Sequence, residues 1–122
     1  MNKSDLEQFT SAKRIDVAGK AVYIRKWKLR ERLQYFDMIA GVDGENWYKD
    51  LYRVMAWVVI RSLCNESGVQ LFADAEVDKV ENLDGDLLDI VYEESMIYNG
   101  LKDRAVKDEI KNSETTRSED LQ

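Results

Sequence analysis

The apolar run at residues 54–60 (VMAWVVI) constrains the fold of this chain more than any other feature. On a helix this run is apolar on every side, which is typical of the buried central helix of a domain. The β-branched residues 58–60 are also compatible with a strand. However, apolar residues keep helical spacing over several turns, at Leu51, Met55, Val58, Val59 and Leu63. We therefore predict a central helix over about residues 47–64, with Asn46 as its N-cap.

The composition favours helices and argues against most catalytic chemistry. The 122 residues include no proline and no histidine, and the only cysteine is Cys64. Without histidine the chain lacks Ser-His-Asp and Cys-His catalysis and the commonest zinc ligand. One cysteine excludes internal disulfides, and at the end of an apolar helix we expect a buried, inert thiol. We expect a non-enzymatic protein with no cofactor and no metal site.

Segments on both sides of the central run predict an α+β fold that is mainly α. Two β-rich runs around Gly19, at residues 14–17 and 21–25, predict an N-terminal β-hairpin. After it, apolar residues recur at helical spacing and predict an amphipathic helix over about residues 28–40, with one stripe formed by Leu29, Leu33, Phe36 and Ala40. Further along, we predict a short helix capped by Asp74, a longer one ending at Asn99-Gly100, and a last helix over about residues 101–110.

The predicted core combines apolar residues from the predicted helices with Phe72, which belongs to a short extended segment over residues 69–72. It consists of Leu33, Phe36, Met55, Val58, Val59, Leu63, Phe72, Val77, Ile90, Val91 and Ile97. The chain divides into a flexible N-terminal arm (1–12), a single helical domain with the hairpin (13–110) and a disordered C-terminal tail (111–122). No stretch approaches the roughly 18 apolar residues of a membrane span, and no secretory h-region is visible, so we expect an intracellular protein.

Charge is distributed unevenly along the chain. Residues 1–32 carry nine Lys/Arg against four Asp/Glu, whereas residues 65–101 carry one against ten. These segments can attract each other within one molecule, which we favour for the isolated protein, or pair between neighbouring molecules. Pairing between molecules is heterologous and predicts weak, salt-sensitive oligomers that grow as rings or filaments.

Two segments resemble ligand-binding loops but lack the residues that such loops need. The acidic residues near Asp84 lack the ligand spacing of a calcium-binding EF-hand loop, and Asp86 is better explained as a helix N-cap. Residues 41–44 (GVDG) are too short for a phosphate-binding loop and lack its Lys-Ser/Thr. Aromatic residues are more informative, because anchors of this type dominate protein interfaces. The candidate partner-binding residues are Trp27, Trp47, Tyr48 and Tyr52.

Several short segments, in this order and spacing, resemble a known family. They are residues 22–27 (VYIRKW) followed by Glu31-Arg32, residues 68–74 (GVQLFAD), residues 77–83, residues 97–101 (IYNGL) and residues 111–115. Together, from about Arg14 to Thr115, the chain resembles the tail assembly chaperones of lambda-type, long-tailed bacteriophages.

This resemblance implies a non-enzymatic role in virus assembly. Proteins of this family are made in the host cytoplasm, coat the long tape measure protein, help to recruit tail tube subunits, and are absent from the mature virion. Many also exist as a longer form made by ribosomal frameshifting. A small helical protein with apolar grooves suits this role, because it can cover a helical client by helix-in-groove contacts repeated along its length.

Two other classes of protein remain as alternatives. A small phage or bacterial regulator would bind nucleic acid through residues 27–32, with salt-sensitive affinity. The acidic composition makes nucleic acid an unfavoured partner. A small enzyme subunit is the weakest alternative, since no set of residues converges on a reaction.

Overall fold

The structure is a computed structural model that describes residues 1–7 and 11–102. Its described residues form five α-helices and a three-stranded antiparallel sheet. In chain order these elements are α1 (Lys3–Glu7), β1 (Ala12–Val17), β2 (Lys20–Arg25), α2 (Leu29–Ala40), α3 (Trp47–Ser62), β3 (Leu63–Cys64), α4 (Val77–Glu81) and α5 (Gly85–Tyr98). The predicted fold class, mainly α with an N-terminal hairpin, is confirmed.

The hairpin is joined by a two-residue turn. Ala18 and Gly19 both have positive φ, at 52° and 80°, which matches the right-handed twist of the two strands. The register pairs Ile15 with Val22. β3 then pairs with β2 on its other side, so the strand order is β1-β2-β3.

The central helix is confirmed, and it ends two residues earlier than predicted. α3 stops at Ser62, because Leu63 turns to extended backbone and continues into β3 opposite Ile24. Val58 and Val59 are almost fully buried and belong to different clusters of the core. α3 therefore connects the cluster against the sheet with a second cluster that contains Trp27 and Tyr35.

The orientation of α2 differs from the prediction. Its buried residues are Glu31 and Tyr35, with Met38 and Ile39 half-buried beside them. The predicted core residues Leu33 and Phe36 are instead 57% and 52% exposed. Periodicity showed correctly that α2 has an apolar stripe, but the face that packs is the one anchored by Glu31, described below.

Most of the other predicted core residues are buried or half-buried, and two are exposed. Leu63 and Val91 are buried like Val58 and Val59, and Met55, Phe72 and Ile97 are half-buried. Val77 and Ile90, at 37% and 41% exposed, lie outside the core. In α4 the buried position belongs to Val80.

After β3, the described chain contains a 3-10 turn, the short helix α4 and the longer helix α5. A 3-10 turn, Asp74–Glu76, leads into α4. The N-cap of α5 is Asp84, whose Oδ1 accepts the Leu87 N–H at 3.0 Å, and not Asp86 as predicted. α5 ends as predicted, at Asn99 followed by Gly100 with φ 73°.

The predicted division of the chain into arm, domain and tail stays a prediction. The arm contains α1, which has no buried residue, and β1 already begins at Ala12. The predicted tail, residues 111–122, lies outside the described residues, as does most of the predicted last helix.

Candidate partner-binding surface

Trp27 lies in the core and not on a surface. It is 6% exposed, and its indole Nε1 donates to Ser62 Oγ at 2.9 Å. Its ring contacts Tyr35 and Trp57, with centroid distances of 5.7 and 5.4 Å. This candidate therefore has a packing role in the structure, and its ring offers no platform for a partner or for a nucleobase.

The backbone of Trp27 is held by the end of α5. Its N–H donates to Asn99 Oδ1 at 2.7 Å, and Asn99 Nδ2 donates to the Ser95 carbonyl at 2.9 Å. Asn99 is fully buried. The sequence marked Asn99 as a helix stop only, because nothing in local spacing reports a contact with a residue 72 positions away.

Next to Trp27, a buried carboxylate joins α2 to β2 and α3. Arg25 donates to Glu31 from both terminal guanidinium nitrogens, Nη1 and Nη2, at 3.1 and 2.6 Å, and Arg61 Nη1 adds a third contact at 3.4 Å. The Lys28 N–H donates to Glu31 Oε1 at 2.9 Å. We call Arg25, Trp27, Glu31, Arg61 and Asn99 the polar junction.

The charge of Glu31 is stable despite its burial. Burial alone would raise the pKa of this carboxyl, but the Arg25 hydrogen bonds, the Lys28 N–H and the two guanidinium charges outweigh it and lower the pKa below its usual 4.5. A buried ion pair is tolerated when hydrogen bonds satisfy it in this way. The polar junction therefore orients α2 and directs its apolar stripe away from the core.

The other three candidates form an exposed surface at the start of α3. Trp47, Tyr48 and Tyr52 are 54%, 45% and 68% exposed. The Trp47 and Tyr48 rings meet edge to face, with centroids 6.1 Å apart. We call these three residues the aromatic surface. Large aromatic groups that remain about half exposed to water are typical of protein-binding sites.

A groove of about 570 Å³ lies beside the aromatic surface, between α3 and the start of α5. Tyr48 and Tyr52 line it together with apolar Met55, Leu83 and Leu88. Its lining also includes side chains of both charges, namely Lys49, Arg53, Glu81 and Asp89. An apolar floor with charged edges is the form that accepts an amphipathic helix.

Other kinds of site are not favoured by the described residues. They contain no group of three or more His, Cys, Asp or Glu side chains that would hold a metal ion. Cys64 is buried, and burial raises the pKa of its thiol, which Arg25 only partly offsets. None of the helices in residues 1–7 and 11–102 has the length and hydropathy needed to cross a membrane.

The described residues thus form a small, mainly helical fold on a three-stranded sheet, with an aromatic groove exposed on one side. Among solved structures, the tail assembly chaperone of bacteriophage HK97 is similar, with a TM-score of 0.59 over 71% of this chain and 83% of that chain. The two sequences are 16% identical, so the likeness is one of fold. No protein-family model and no curated protein matches the sequence.

Proposed function

We propose that this chain is a tail assembly chaperone of a long-tailed bacteriophage. The observation that carries the proposal is the fold shared with the HK97 chaperone over most of that protein's length, at 83% of its chain. The sequence resemblance to lambda-type chaperones supports the same role. The protein acts without catalysis, in the host cytoplasm, and is absent from the mature virion.

The client in this proposal is the tape measure protein, and the contact is the aromatic surface with its groove. A long helical client presents apolar stripes that water disfavours until the tail tube encloses them. Tyr48 and Tyr52 cover such a stripe from one side, while the groove between α3 and α5 receives its side chains. Many copies on one client gain avidity, which fits recruitment of tail tube subunits along the client's length.

Self-association and a longer frameshifted form belong to the same proposal. The ion pairs that the structure shows for the basic segment are largely internal, such as Arg25 with Glu31 and Arg14 with Asp16. The acidic segment has ion pairs of its own, such as Arg61 with Asp74 and Lys102 with Glu93, and its remaining excess of negative charge attracts the basic segment of a neighbouring molecule at low salt. A codon-level search for a slippery site near the end of the reading frame tests the longer form.

Co-purification with the tape measure protein of the same phage tests the proposed client. A tagged tape measure fragment is co-expressed with the wild-type chain, with Trp47→Ser and with Tyr52→Ser. Because interface aromatics are frequent hot spots, each variant is expected to lose at least about tenfold in affinity. Val69→Ser is the matched control, since Val69 is similarly exposed (59%) and lies outside the groove. Wild-type chain that fails to bind the fragment contradicts the proposed client.

A further inference from the structure

A second surface, distinct from the aromatic groove, lies at the N-terminal end of α2. An open pocket of about 750 Å³ is lined there by five cationic side chains and one carboxylate: Arg25, Lys26, Lys28, Arg30, Arg61 and Glu31. The carboxylate is already bound by Arg25 and Arg61. We call this the basic pocket; its net charge is positive although the whole chain carries a formal charge of -6.

Much of the positive charge in the basic pocket has no counterpart within the described residues. In that part of the chain, neither Lys28 nor Arg30 has an ion-pair partner, and both are exposed. Arg25 is already paired with Glu31, and Arg61 with Glu31 and Asp74, but the buried Nε atoms of both arginines have no hydrogen-bond acceptor among the described residues. The first turn of α2 adds the partial positive charge of a helix N-terminus. An anionic group entering the pocket is therefore attracted from several directions.

An exposed apolar stripe begins at the edge of the same pocket. Leu29, Leu33 and Phe36 are 72%, 57% and 52% exposed. At about 100° per residue, Arg30 and Gln34 lie between this stripe and the buried face of α2, and both line the basic pocket. The stripe and the pocket are thus adjoining parts of one surface.

We propose that the apolar stripe of α2 and the basic pocket together bind an acidic amphipathic helix of a partner protein. Carboxylates on that helix enter the pocket, and its apolar side chains cover Leu29, Leu33 and Phe36. The argument is charge complementarity combined with a continuous apolar strip, which is the pattern of helix recognition on a flat helical surface. The proposal does not depend on the aromatic groove or on the identity of its client.

Nucleic acid and a second copy of this chain each fit only part of this surface. Nucleic acid would supply the anions, but Trp27 is buried and the apolar stripe offers nothing to a phosphate backbone. A second copy would supply its acidic helix α5, but Val91 and Met96 of that helix are buried in its own core. An acidic helix with a free apolar face satisfies both parts.

A designed peptide pair tests the proposal on the full chain. The probe is a labelled helical peptide of about 20 residues with Leu along one face and Glu elsewhere. The control peptide carries Lys in place of every Glu. We expect fluorescence anisotropy to show binding of the Glu peptide only, with an affinity that falls as salt rises because the contact is electrostatic.

Charge reversals locate the binding site. Lys28→Glu and Arg30→Glu are each expected to weaken binding of the Glu peptide about tenfold, since each reversal replaces an attraction by a repulsion. Lys20→Glu makes the same change in charge at the far end of β2, about 16 Å from Arg25, and is expected to change affinity less than twofold. Leu33→Ser weakens binding without changing its dependence on salt.

Four results would overturn the proposal. The first is equal binding of the Lys peptide, and the second is an equal loss in Lys20→Glu. The third is a single-stranded oligonucleotide that competes with the Glu peptide at lower concentration, which assigns the pocket to phosphates. The fourth is self-association, seen by sedimentation, that Lys28→Glu abolishes while peptide binding is unchanged, which assigns the surface to a second copy.

Discussion

The polar junction buries a charged group, whereas the aromatic surface exposes apolar rings to water. The junction buries a carboxylate, with Glu31 5% exposed, and closes it with Arg25 and Arg61. The aromatic surface leaves Trp47 and Tyr52 more than half exposed to water. Both choices are unfavourable for the isolated groups, since buried charge loses hydration and exposed aromatic area gains nothing from folding.

The difference separates what the fold requires from what it leaves available. Every member of the polar junction has a partner on another element, so its residues determine how α2 and α5 meet the sheet. The described residues show only a mutual ring contact between Trp47 and Tyr48 in the aromatic surface. Substitutions in the polar junction are therefore expected to destabilise the fold. Residues of the aromatic surface contribute little to stability, so they can serve binding.

The largest effect is expected from a charge placed beside Trp27. Val58 is fully buried in the same cluster, and Val58→Asp places a carboxylate among its apolar side chains. Such a group costs several kcal/mol, which is a large part of the ~5–15 kcal/mol that stabilises a small domain. Circular dichroism is expected to show an unfolded chain. Val69→Asp, at an exposed position, is the control, and a Val58→Asp variant that melts like wild type would contradict the position of α3.

Removing the carboxylate of the polar junction gives the next largest effect. Glu31→Ala leaves Arg25, whose side chain is 12% exposed, without its bidentate partner. Breaking one half of a buried pair costs about 3–5 kcal/mol in the free energy of unfolding, measured by urea titration. Asp16→Ala breaks a pair with 60% and 66% exposed side chains and is expected to cost less than about 1 kcal/mol. Equal losses in the two variants would remove the distinction between buried and exposed pairs.

Acid is expected to lower the free energy of unfolding through the polar junction and not through the aromatic surface. The pKa of Glu31 is lowered in the folded state, so its contribution is complete above its usual value of 4.5 and is lost as pH falls through the folded pKa. The urea midpoint of the wild type should therefore decline more steeply than that of Glu31→Gln between about pH 5 and about pH 3. Parallel curves would show that Glu31 does not carry this dependence.

The sequence predicted the elements better than it predicted their contacts. The apolar run of α3, the hairpin turn around Gly19 and the stop at Asn99 are local signals, and the elements that they predict are present in the structure. The outward face of α2 was not, because an apolar stripe shows that a surface avoids water without showing what covers it. Its orientation depends on the contacts of Glu31 with Arg25 and Arg61, which lie six and 30 positions away, and periodicity carries no information on such pairs.

The candidate site shows the same limit in its aromatic residues. Trp27, Trp47 and Tyr52 look equivalent in the sequence, and only packing distinguishes the buried one from the two exposed ones. Trp27 follows two basic residues, Arg25 at the end of β2 and Lys26, so a surface position was a reasonable expectation. Its burial depends on Asn99 and Ser62, which are distant in sequence.

The smallest effect on stability is expected at the aromatic surface itself. Tyr52 is 68% exposed, and serine has nearly the same helix propensity as tyrosine, so Tyr52→Ser removes a side chain that the fold hardly uses. The free energy of unfolding should change by less than about 0.5 kcal/mol, while binding to the tape measure fragment is lost. Thermal melts of the variant and the wild type, run beside the co-purification, separate the two quantities. A loss above about 1 kcal/mol would mean that Tyr52 supports the fold, and the reduced binding would then report unfolding and not contact. Unchanged stability together with lost binding is the combination that an interaction surface, and not a structural one, produces.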